Sequence, residues 1–204
     1  MAQEETDSSY IVPAREGEGK VTEKMSRFLA FLHPVEDAEA ARALVKTYQN
    51  KFHDARHVCW AYMLGPQRDE WQLNDNGEPS GTAGKPILGQ INSAGLTNVI
   101  ILVVRYFGGI KLGTSGLIAA YREAARLAVE DAGTRVCYRM ATLEVTFPYL
   151  AMNGVMKIVK AAGLEVLDQQ FDNTCTLLLS VRYDEAEAYA QRLSGLDGVI
   201  VERQ

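Results

Sequence analysis

The chain has 204 residues, 47% of them hydrophobic and 23% charged, and a formal net charge of -5. That length suits one large domain or two small ones, and the apolar fraction excludes wholesale disorder and collagen-like repeats. A net acidic chain does not fit a generic DNA-coating protein, which leaves room only for a local basic patch.

The densest apolar run, residues 99–104, is far short of the roughly 20 apolar residues a membrane-spanning helix needs. Residues 1–7 have neither the basic nor the apolar region of a secretory leader. Cys59, Cys137 and Cys175 are odd in number and form no C-x-x-C pair, so reduced, packed thiols in a cytoplasmic protein are expected.

In chain order, residues 1–9 read as a loose polar tail and residues 10–13 can open a strand. Residues 20–32 read as one strand ending at His33-Pro34. Residues 37–52 carry apolar positions at helical spacing, with Asp37 as N-cap. Residues 56–64 alternate as a strand, Val58, Trp60, Tyr62 and Leu64 on one face and His57, Cys59, Ala61 and Met63 on the other. Residues 65–86 are a long irregular stretch, a kind that is uncommon and often functional. Pro86 suits the first turn of a helix running to Ala94. Residues 97–107 form a buried strand by their continuous β-branched run. Residues 108–116 are a glycine-rich loop, and residues 117–132 a helix closed by Gly133.

The remainder changes rhythm. Residues 139–147, 164–171, 174–183 and 199–202 read as strands, and residues 149–162 and 184–196 as helices, with a turn at Asp172-Asn173. That order, βαββαβ, is the order of a ferredoxin-like split βαβ domain, so two domains are expected, 1–138 and 139–204. Their net charges are −2 and −3, yet residues 79–129 carry five basic residues (Lys85, Arg105, Lys111, Arg122 and Arg126) against the single acid Glu123.

Candidate chemistry gathers in two loops. Arg105 to Gly116 joins a buried strand to a helix, and Gly108, Gly109 and Gly113 let backbone amides approach a ligand closely. Amides at a helix N-terminus favour anions, and Arg105 and Lys111 add full charges. The same stretch reads equally as a tight turn whose glycines serve packing. It fits neither the dinucleotide fingerprint nor, around Gly84-Lys85-Pro86, a Walker loop. In the other loop Asp75, Gly77, Glu78, Ser80, Thr82, Gly84 and Lys85 crowd together. They can be acid–base machinery or a hydrogen-bonded loop of turn formers. His53, His57 and Cys59 are too few for a closed zinc site, so no metal and no cofactor is expected.

Four stretches resemble the YigZ/IMPACT family: residues 24–28 (KMSRF), 54–59 (DARHVC), 75–86 (DNGEPSGTAGKP) and 104–113 (VRYFGGIKLG). Lys111 falls where the family pattern is open. The resemblance implies an α+β protein. Its N-terminal α/β domain would be like the second domain of the ribosomal protein S-five superfamily, followed by a ferredoxin-like domain, similar to domains IV and V of elongation factor G. It also implies a link to translational control through eukaryotic relatives.

The leading expectation is a non-enzymatic cytoplasmic protein, monomeric by default, that binds RNA, the ribosome or another translation component. Arg56, Lys85, Arg105 and Lys111 would contact phosphates, His57 and the glycines would line the site, and Tyr106 or Phe107 would stack on a base. The alternative is an enzyme acting on a phosphorylated small molecule or nucleotide with Asp75 or Glu78 as base. A third reading is a protein-binding module using the C-terminal sheet.

Overall fold

The computed structural model describes residues 8–172 and 174–204. Its elements are β1 (Ser9–Pro13), β2 (Gly17–Glu23), β3 (Ser26–Pro34), α1 (Ala38–Lys51), β4 (His57–Leu64), β5 (Glu70–Asn74), α2 (Gly84–Ser93), β6 (Val99–Tyr106), α3 (Gly113–Ala132), β7 (Thr134–Tyr138), β8 (Met140–Phe147), a 3₁₀ turn (Tyr149–Ala151), α4 (Met152–Ala162), β9 (Glu165–Phe171), β10 (Cys175–Arg182), α5 (Ala186–Ser194) and β11 (Ile200–Arg203). They fall into two units, Tyr10–Cys137 and Tyr138–Gln204, the latter also taking in Ser8 and Ser9.

The continuous apolar run of β6 has its cause in the first unit. β6 is the central strand of a five-stranded sheet, β2-β3-β6-β4-β5, whose named pairs are all antiparallel. Helices cover both faces. Val99, Ile101 and Val103 pack with α2 and α3, while Ile100, Leu102 and Val104 pack with α1. β4 divides as its alternation predicts, with Cys59, Ala61 and Met63 toward α2 and α3 and Val58, Trp60, Tyr62 and Leu64 toward α1. Each such aliphatic side chain, fully buried, contributes about 1.5–3 kcal/mol. Asp37 caps α1 by accepting from the Ala40 amide, and Gly133 closes α3.

The structure corrects four readings of this region. Residues 20–32 are not one strand but parts of the β2–β3 hairpin. Its turn residues Lys24 and Met25 both have positive φ, 43° and 66°, as a type I′ turn requires, yet neither is a usual turn former. The 65–86 stretch contains β5, an edge strand too polar and exposed to show alternation. Helix α3 begins at Gly113 rather than at Leu117, and β7 pairs with β1. Of the expected N-terminal tail, residues 1–7 lie outside the described residues, whereas Ser8 is buried and Ser9 opens β1.

The second unit follows the order β-α-β-β-α-β in a sheet β11-β8-β10-β9, its pairs all antiparallel. Ala141, Leu143, Val145 and Phe147 of β8 and Cys175, Leu177, Leu179 and Val181 of β10 form its core with Val155, Ile158 and Val159 of α4 and Leu193 of α5. Asn173, half of the expected turn, lies outside the described residues. The three cysteines are free, and among the described residues no helix is long and apolar enough to cross a membrane.

Candidate functional site

The alternation that sends Val103 toward α2 and α3 sends Arg105 the same way and Tyr106 the other. In register, Arg105 lies between His57 on β4 and Phe28 on β3. Glu78, from the loop before α2, closes over this row. Arg105 Nη1 donates to Glu78 Oε1 at 2.6 Å, and the Tyr121 hydroxyl of α3 donates to the same oxygen at 2.9 Å. The two ion-pair side chains are only 3% (Glu78) and 7% (Arg105) exposed.

Around this pair the polar groups are tightly ordered. His57 Nδ1 lies 2.7 Å from the Asn76 carbonyl. A carbonyl can only accept, so Nδ1 carries the hydrogen and, in the neutral ring, Nε2 is an acceptor. Nε2 stands 3.8 Å from Glu78 Oε1. The Cys59 thiol lies 3.0 Å from the Asp75 carbonyl and 3.3 Å from the Tyr121 hydroxyl. Burial pushes this thiol up to about 12 and also raises the Tyr121 phenol, helped by neighbouring Cys59 and Glu78.

Above the pair opens a cleft of about 440 Å³. Its walls bring together Arg56, His57, Gly77 and Glu78 from one side and Arg105, Lys111 and Gly113 from the other, all expected from the sequence. Pro79, Phe107, Leu112, Thr114 and Leu117 complete it. Arg56 and Lys111 are exposed on its rim.

The other expected residues are placed elsewhere. Asp75 turns into its own loop and accepts from the amides of Gly81, Ala83 and Gly84 at 2.8, 3.0 and 2.8 Å. The Thr82 hydroxyl donates to the Pro79 carbonyl, and Gly84 is buried at the start of α2. Ser80, Lys85 and Gly109 are exposed but do not line the cleft. Tyr106 faces away, with its hydroxyl on Asp54 and the Arg27 guanidinium over its ring. Gly108 serves the hairpin, since a Cβ there would meet the Met25 carbonyl carbon at 2.1 Å. The expected phosphate contact of Arg105 is also revised, because its charge is spent on Glu78. Of the five basic residues in 79–129, Arg126 is tied to Glu123 and Glu130.

The two helices entering the region differ at their N-termini. The Asp75 carboxylate fills the end of α2. At α3 the N-cap is Leu112, with no side-chain cap and no acid in the first turn. Leu112, Gly113 and Thr114 of that end line the cleft beside Lys111, and a helix N-terminus placed so favours an anion. Sequence reasoning missed Tyr121; its one signal is a large polar ring on an alanine-rich face, amid Ala120, Ala124 and Ala125.

The family model described as the Impact N-terminal domain matches residues 24–129. The chain belongs to the IMPACT family. It is 32% identical over 189 residues to an IMPACT family member of Haemophilus influenzae, covering 92% of each chain. It is 30% identical over 188 residues to IMPACT family member YigZ of Escherichia coli, covering 91% of this chain and 92% of that one. Its similarity to Protein IMPACT of Oryctolagus cuniculus, 33% over 96 residues, covers 46% of this chain and 30% of the relative. Among solved structures, one described as a hypothetical protein superposes with a TM-score of 0.70 at 27% identity, covering 95% of this chain and 96% of that one.

Proposed function

We propose that this IMPACT family member is a non-enzymatic, cytoplasmic RNA-binding protein that engages the ribosome or another translation component. In this reading the Tyr10–Cys137 unit is like the second domain of the ribosomal protein S-five superfamily, and the second unit is ferredoxin-like. RNA phosphate sits at the N-terminus of α3 between Arg56 and Lys111. The observation that carries this is the uncapped helix end opening into a cleft with two exposed cations.

Two further features support binding over catalysis. The alternative enzyme would use Asp75 or Glu78 as its base, but Asp75 is held by three backbone amides and Glu78 Oε1 by Arg105 and Tyr121. Phe107, 43% exposed, offers a ring for base stacking. The family resemblance adds a link to translational control.

The test is an affinity-versus-salt series on single-stranded RNA and on ribosomes. Arg56→Ala and Lys111→Ala should each weaken binding and lower the slope of log affinity against log salt by about 0.7 per lost phosphate contact on single strands. Thermal stability should be unchanged, since both side chains are exposed. Wild-type affinity and slope in both variants would defeat the proposal.

A further inference from the structure

We propose that the second unit docks a basic protein segment, an extended chain alternating basic and apolar residues that adds as a fifth strand beside β9. The surface lies within the second unit and is independent of the RNA-binding reading above. The sheet order β11-β8-β10-β9 gives β9 a partner on one side only, so the sheet leaves the backbone groups of its outer edge unpaired. Of its seven residues only Val166 is not exposed. Such an edge is a template for a further strand, and peptide recognition by strand addition uses one.

The two faces of the sheet differ. Leu143, Val145, Leu177 and Leu179 pack with α4 and α5 on one face, and the intervening residues point to the other. There the register lines up Glu202 of β11, Glu144 of β8, Leu178 of β10 and Asp168 of β9 in one row across all four strands. Glu165 follows in the next row, opposite Ser180. A cavity of about 320 Å³ lies over this face, with Glu144 and Asp168 among its walls. The only cation that the register puts on this face, among the described residues, is Arg182, and it is tied to Asp184.

Charge selects the occupant. Carboxylates at Glu144, Glu165, Asp168 and Glu202 repel nucleic-acid phosphate and attract Lys and Arg. A second copy is disfavoured too. Asp168 is the middle residue of β9, so antiparallel pairing of two copies centred on this strand sets Asp168 against Asp168, and like charges directly opposite are destabilising. Asp168 Oδ1 accepts from the Gln169 amide at 2.9 Å, which holds the carboxylate at the strand's own backbone, within reach of a neighbouring strand's side chains. On the other face of the edge, Phe171 is in register with buried Cys175 and is half-exposed. A strand that sets basic residues beside Asp168 sets its alternate residues on the Phe171 side, where an apolar side chain fits.

The experiment uses the full chain and fluorescein-labelled nonapeptides, read by anisotropy at fixed low salt. One peptide alternates Lys with Val and one alternates Glu with Val. Two further copies of the Lys–Val peptide carry N-methyl groups, on the Lys nitrogens in one and on the Val nitrogens in the other. The Lys–Val peptide should bind and the Glu–Val peptide should not. In an added strand the N–H groups of alternate residues face the sheet, so one methylated peptide should lose about tenfold or more in affinity and the other should bind like its parent. Asp168→Asn should weaken the Lys–Val peptide by about 1.5- to 5-fold, the worth of one exposed ion pair, and Asp168→Lys should weaken it further. Thermal stability should be unchanged in both, since the side chain is exposed. No binding of the Lys–Val peptide, or equal affinities of the two methylated peptides, would overturn strand addition. Wild-type affinity in both Asp168 variants would overturn the assignment to β9. A dimer of the free chain in sedimentation that the Lys–Val peptide dissociates would give the edge to a second copy and overturn the proposal as well.

Discussion

The loop before α2 and the loop before α3 look alike in composition and end in opposite states. Both are rich in glycine and both run into a helix. In the first, Asp75 reaches across its loop to fill the α2 N-terminus with its own carboxylate. In the second no side chain does so, and the end of α3 meets the cleft with Thr114 and Lys111 beside it. A helix end that carries its own anion is part of the scaffold, whereas one left uncapped can take an anion from outside. Glu78 belongs to the first loop but bonds to Arg105 and Tyr121, so it holds the scaffold loop against the binding side.

That join is where the largest effect is expected. Glu78→Met leaves the Arg105 guanidinium buried without its partner, a change that costs about 3–5 kcal/mol. The double variant Glu78→Met with Arg105→Met should be the more stable of the two, because no unpaired charge remains. Urea midpoints measure both, and a single-variant loss under about 1 kcal/mol would mean the pair is solvated in solution.

Next comes the anchor of the first loop. Asp75→Ala strips three amides of their acceptor, and each donor left unsatisfied costs about 1–3 kcal/mol without full additivity. A loss of about 2–3 kcal/mol is expected. Ser115→Ala, in the exposed first turn of α3, should stay within about 0.5 kcal/mol of wild type. Equal losses at the two sites would erase the contrast between the helix ends.

The Cys59 thiol, which touches the Asp75 carbonyl, gives a pH test. Its pKa is raised from 9.0 to about 12 in the folded state, first by burial, so the folded chain holds the proton more tightly than the unfolded one. The stability this contributes is whole below about pH 9 and is lost as pH climbs toward about 12. By pH 10 the loss should amount to roughly 1 kcal/mol. Urea midpoints of wild type and Cys59→Ala should therefore converge between pH 8 and pH 10; parallel curves would place the thiol in water.

The smallest change sharpens the comparison by turning one helix end into the other. Thr114→Asp places an acid in the first turn of α3 and should add about 0.3–1 kcal/mol of stability. RNA binding should weaken at the same time, because the new carboxylate occupies the ground meant for phosphate. A gain in stability with unchanged binding would move the phosphate away from α3.

The elements with simple periodicity were legible without coordinates. The 3.6-residue spacing and Asp37 cap of α1, the two faces of β4, the buried run of β6 and the β-α-β-β-α-β order of the second unit are all local patterns. What was missed lacked such a pattern. Lys24-Met25 turns a hairpin without turn-forming residues, and β5 is an exposed edge with little apolar signal. The cleft was half legible: its glycines and cations stood out, while Tyr121 was hidden in a helix that reads as ordinary core.

By itself the sequence determined which residues carry charge, which strands are buried on both faces, and that two loops hold most of the candidate chemistry. Only the tertiary structure decided which of those charges are spent. Along the chain Arg105 reads as a free charge, and Asp75 as either a base or part of a hydrogen-bonded loop. In the fold, a carboxylate 27 positions away neutralises the first, and amides six to nine positions downstream absorb the second. The reason is energetic. A buried charge persists only where partners offset its desolvation, and those partners come from other elements, whose approach no local pattern encodes.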